Sequence, residues 1–147
     1  MTATAALASG FAGASALTLI HLTAQRAVPD APRADLLGMR AIEKTLRRAG
    51  QEPPPQDRLF GMALGGDLTA NSLYYSLVGI GSPEGAWLRG ALLGLAAGLG
   101  AVFLPGPLGL GRDATNRTPA NRAMTVAWYL AGGLAAAATF RCLRRED

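Results

Sequence analysis

His21, Asp67 and Asn71 are polar side chains that interrupt long apolar stretches of a 147-residue chain. In a hydrocarbon environment a central charge costs ~2.5–3.5 kcal/mol on insertion scales, so polar groups retained there are the first candidates for function. A carboxylate beside the lone imidazole would fix its tautomer and make a proton-handling pair. Asn71 lies one helical turn after Asp67, on the same face, where its amide can serve a ligand or another helix. Tyr75 lies further along this segment, and Thr125 and Trp128 descend another apolar segment through the same zone. Arg117 and Arg122 stand at its mouth and would attract an anion.

Each residue also has a plainer reading. His21 sits near a helix end, where imidazoles often serve as interfacial hydrogen-bonders. Asp67 and Asn71 would serve as interhelical glue, and the aromatics as packing or belt residues. The arginines would set topology.

Several chemistries are excluded by composition. One Cys, Cys142, allows no internal disulfide, and with one His it cannot complete a Cys/His zinc site. Bis-histidine haem ligation fails for the same reason. No phosphate loop, HExxH, GxSxG or acidic metal cluster occurs. No metal or cofactor is therefore assigned. The net charge of +4 and pI near 10.0 would suggest nucleic acid in a soluble chain. Here the basic residues sit in loops beside apolar segments, without an aromatic–basic platform, so no nucleic-acid partner is expected.

The segments that must position these groups follow from the uneven distribution of charge. Mean hydropathy is +0.21, and most charge lies in residues 26–58, 112–122 and 141–147. A soluble helix keeps a charged wet face, and these apolar segments have none. About 20 helical residues cross a bilayer core. Four segments qualify, at about residues 2–25, 59–81, 83–104 and 119–140. The expectation is one all-α integral membrane domain, a bundle of about four transmembrane helices. No Lys or Arg precedes Arg26, so the first segment reads as a permanent helix rather than a cleaved leader. Ser82-Pro83 and Thr118-Pro119 each read as a cap followed by a first-turn proline. The short link between the second and third segments implies an antiparallel hairpin.

Within the first loop, residues 35–49 read as an amphipathic helix, with Leu36, Met39, Ile42 and Leu46 on one side and Arg40, Lys44, Arg47 and Arg48 supplying charge. It lies either in the interface against anionic headgroups or over the bundle end as a lid. Three prolines at 53–55 make a stiff spacer after it.

Basic residues orient the chain. Arg26, Arg33, Arg40, Lys44, Arg47, Arg48 and Arg58 fall in the first loop, and Arg112, Arg117 and Arg122 in the third; Arg141, Arg144 and Arg145 oppose them in the tail. The two loops share a side, which the positive-inside rule makes cytoplasmic, so the N-terminus lies outside. The glycosylation-like triplet Asn116-Arg117-Thr118 is then a coincidence. At ~1.5 Å per residue, His21 lies ~7–8 Å and Asp67 ~12 Å from that side, which places them at comparable depth. Gly90, Gly94 and Gly98 recur every fourth residue, a spacing that lets membrane helices approach closely or dimerise.

Three functions fit. The first is a cytoplasm-facing intramembrane pocket that binds or transports an amphiphilic or anionic small molecule. The second is a membrane enzyme or quinone-type redox subunit using a His/Asp proton relay. The third is a structural or assembly subunit. Membrane lipid is the expected partner, with a second copy or another membrane protein possible. Abundant Ala, Gly and Arg with one Lys suggest a GC-rich bacterial genome and hence the inner membrane.

Overall fold

The computed structural model describes residues 3–144. They form α1 (Ala3–Ala27), α2 (Ala34–Arg48), α3 (Gln56–Ser76), α4 (Ala86–Phe103) and α5 (Pro119–Leu143), with 3-10 turns at Leu77–Gly79 and Pro83–Gly85. No described residue lies in a strand.

Three helical stretches are long and apolar enough to cross a membrane: Ala3–Ala27, Pro83–Phe103 and Pro119–Leu143. They are compatible with a multi-pass membrane protein. α3 has 21 residues but carries Asp57, Arg58 and Asp67, and it is not among the three.

The helices are arranged in the order α4–α5–α1–α3–α2, each packed mainly on its neighbour. α3 and α4 touch only slightly, although the link between them is short. The expected hairpin is thus joined in sequence but open in space. The reason is that α4 spends its small-residue face on α5. Gly90, Gly94 and Gly98 are all buried there. A Cβ on Gly94 would lie 2.6 Å from the Leu130 Cα, and one on Gly98 would lie 2.8 Å from the Val126 Cα. On α5, Gly132 faces α1, where a Cβ would lie 3.1 Å from the Gly13 oxygen. Its neighbour Gly133 faces α4 and abuts the Gly90 oxygen. Without a hydrophobic drive in lipid, such close backbone approach supplies the dispersion contact that joins helices.

α2 packs against the first turns of α3 and the 104–118 connection. Met39 is buried with Leu59 and Ala63 of α3, flanked by Ile42 and Phe60. A Cβ on Gly38 would lie 3.0 Å from that of Ala63, so the helices meet closely. Arg40 pairs with Asp113 and also donates to the Leu110 carbonyl, while Lys44 donates to the Leu108 carbonyl. α2 therefore straps α3 to the 104–118 connection. That connection ends as its sequence implies, with the Thr118 hydroxyl accepting the Asn121 N–H at 3.0 Å and Pro119 opening α5.

Gly94→Val should fail to give a monodisperse, cooperatively melting protein in detergent, because overpacking costs ~1–3 kcal/mol or more where only backbone can yield. Gly65→Ala is the control, since nothing lies within 4 Å of a Cβ there, and it should melt like the parent.

Candidate functional site

The polar residues gather at the end of the bundle where α1 finishes. His21 is 6% exposed. Its ring is held edge-on against Trp128, at a centroid distance of 5.1 Å, and against Tyr129, at 5.8 Å. The Nε2 atom has no hydrogen-bond partner in the protein, and neither does Thr18 Oγ1 one turn before it. Both residues line a small cavity of about 30 Å³ between α1, α2 and α3. Gln25, Asp35 and Asp67 contribute the other polar walls, and Leu22, Ala34, Ala63 and Leu64 the apolar ones. Asp67 accepts a 3.0 Å hydrogen bond from the Asn71 side chain.

Asp35 reaches the cavity from α2. Its side chain is only 7% exposed. It accepts from Gln25 at 2.9 Å and from Arg33 at 2.7 and 3.0 Å. Burial alone would push the carboxyl up, but the Arg33 and Gln25 hydrogen bonds outweigh it and hold Asp35 below the ordinary carboxylate range.

A second space opens on the other side of Asn71. Because α3 and α4 scarcely touch, a lateral groove of about 570 Å³ runs between them. Ala70, Ala96, Ala97, Gly100 and Ala101 make its narrow walls, and Leu37, Leu104, Pro105 and Leu108 roof it at the α2 end. Its polar lining is Asn71, Tyr74 and Tyr129. The Tyr74 hydroxyl bridges the gap to the Leu93 carbonyl at 2.9 Å.

The structure thus brings His21, Asp67, Asn71 and Trp128 together. The remaining candidates lie elsewhere. Tyr75 is fully buried and donates to the Tyr129 carbonyl at 2.8 Å, which ties α3 to α5. Thr125 donates to the Asn121 carbonyl at 2.9 Å within the α5 end. Arg117 pairs with Asp30 at 2.8 Å, beside the Asn121 side chain that donates to the Asp30 carbonyl at 3.0 Å. Arg122 is exposed and lines neither space. Thr18, Gln25 and Asp35 belong to the cavity but are missing from the sequence reading. Thr18 had a signal, its spacing of three from His21. Asp35 read only as the start of the 35–49 amphipathic helix, because nothing in the sequence turns α2 back onto α1. Comparison with known proteins gave no match to any family model, curated protein or solved structure.

A carboxyl held low in the fold adds stability above its unfolded value, near 3.8, and loses it as pH falls through the folded value. Asp35→Asn should therefore lower the melting midpoint at pH 7 by roughly 2–4 °C, the size of a ~1 kcal/mol loss. Thermal melts of both proteins at descending pH should converge below the ordinary carboxylate value.

Proposed function

We propose that this protein is an intramembrane binding module for a neutral amphiphile, with a slim apolar chain in the α3–α4 groove and a hydroxyl or carbonyl at Asn71. The observation that carries the reading is the groove itself, apolar and open to the side, with an amide on its wall. Small pockets of this kind fix a ligand by a few polar groups among apolar contacts. No Lys or Arg lines the groove, which favours a neutral head over the anionic one that Arg117 and Arg122 suggested. Arg117 already has a carboxylate partner in Asp30.

In this reading α3 is the fourth crossing. Its support is the antiparallel packing of α3 along α1, where Gly10 seats against Ser72 and Ser76 and Gly79 against Ala6. The basic first and third loops face the cytoplasm of a bacterial cell, in its inner membrane, with the N-terminus outside. A second reading, a quinone-type redox subunit, is favoured by Tyr129, which both lines the groove and contacts the His21 ring.

Native mass spectra of protein extracted gently from its membrane test the groove. A neutral lipid-soluble adduct is expected on the parent, abolished in Ala97→Trp, which fills the groove, and reduced several-fold in Asn71→Leu. Equal adducts in all three, or a co-purified protein with none, would refute the reading. Topology has its own check. With Cys142 replaced by Ser, single cysteines at Gln51 and Ser82 should label from opposite sides of sealed vesicles with a membrane-impermeant maleimide. Labelling of both from one side would remove the fourth crossing.

A further inference from the structure

The small cavity beside His21 is separate from the groove, and its chemistry is different. His21, 6% exposed, has an Nε2 without a partner in the protein, Thr18 has a buried hydroxyl without one, and both residues line this cavity. Leaving a buried polar atom unsatisfied costs ~1–3 kcal/mol, and apolar substitutes at either position would avoid that cost. The ring cannot readily turn away, because Trp128 and Tyr129 meet it edge-on from α5.

The size of the space limits its occupant. About 30 Å³ exceeds the ~10–15 Å³ that one water requires and is far too small for an organic ligand. A water also needs two to four polar partners. Here Nε2 can accept a hydrogen bond, the Thr18 hydroxyl can donate or accept, and the Asp67 carboxyl stands on the facing wall. Among the described residues no metal-holding cluster is present, so a cation site is not favoured.

We propose that this cavity is a binding site for a single water molecule, which joins His21 to Asp67 as one proton-exchanging pair. One proton passes from whichever partner is protonated to the water while the water gives one to the other partner, and the reverse step returns it, so the total charge of the pair and its water is unchanged. The groups facing His21 are Asp67 from α3, Asp35 with its Arg33 from α2, Tyr129 from α5, and Thr18 and Gln25 from its own helix. Asp35 is engaged by Arg33 and Gln25, which leaves Asp67 as the carboxyl available to the water. Asn71 connects Asp67 to the groove wall, but the inference does not depend on the groove being occupied.

His21 is the only histidine, so its resonances need no assignment. The experiment uses the full chain, labelled with ¹⁵N-histidine, in lipid nanodiscs. Magnetisation transfer from water to the imidazole is expected in the parent and should be lost or strongly weakened in the near-isosteric Thr18→Val. The His21 titration midpoint should move by about one pH unit in Asp67→Asn, the size of coupling that makes two groups titrate as a pair. The parent measurement needs no variant to fold. No water transfer in the parent would overturn the hydration site. Transfer with a midpoint unmoved in a folded Asp67→Asn would overturn the pairing, and both results are independent of any groove adduct.

Discussion

The Gly132–Gly133 doublet in the middle of α5 sets the arrangement of the whole bundle. Two adjacent residues on a helix point about 100° apart, so one glycine meets α1 and the other meets α4. Gly133 lies so close to the Gly90 backbone that a Cβ would collide, and a Cβ on Gly132 would lie 3.0 Å from the Tyr75 hydroxyl and 3.1 Å from the Gly13 oxygen. α5 is thereby fixed between α1 and α4, and α3 is left on the far side of α1. The opening between α3 and α4 is the geometric result. The groove exists because α4 uses its glycines on α5 and has no comparable face left for α3.

That opening is managed at its ends by a few polar contacts. Tyr74 spans it with one hydrogen bond to Leu93. At the other end α2 crosses from α3 to the 104–118 connection, held by Met39 on one side and by Arg40 and Lys44 on the other. Arg33 ties the same end together through its backbone N–H to the Ala114 carbonyl. Asn121 adds a further link to the Asp30 carbonyl. Most of these polar contacts gather at one end of the molecule, while Arg89 holds the Val78 and Ser82 carbonyls at the other.

The same arrangement separates two kinds of polar chemistry. Asp67 lines the cavity beside His21 and Asn71 lines the groove, although the two side chains bond each other one turn apart. A small, water-sized space and an open, chain-sized one thus share a single α3 turn. α2 contributes to both, with Asp35 in the first and Leu37 in the second.

Sequence alone determined the helical class, three long apolar helical stretches and the capped start of α5, because these depend on hydropathy and local backbone chemistry. It also put His21 and Asp67 at one depth, since rise per residue is fixed in a helix. Whether their faces converged was decided by tertiary packing, because rotation about a helix axis is set by neighbours and not by length. The same limit hid the partners of Tyr75 and Arg117, the Tyr129 carbonyl and Asp30. Their partners lie far away in sequence, and only the folded chain brings them together. The groove was illegible for a stronger reason. It is a space left between two helices joined by a short link, and it arises from where a third helix, α5, takes up the glycines of α4.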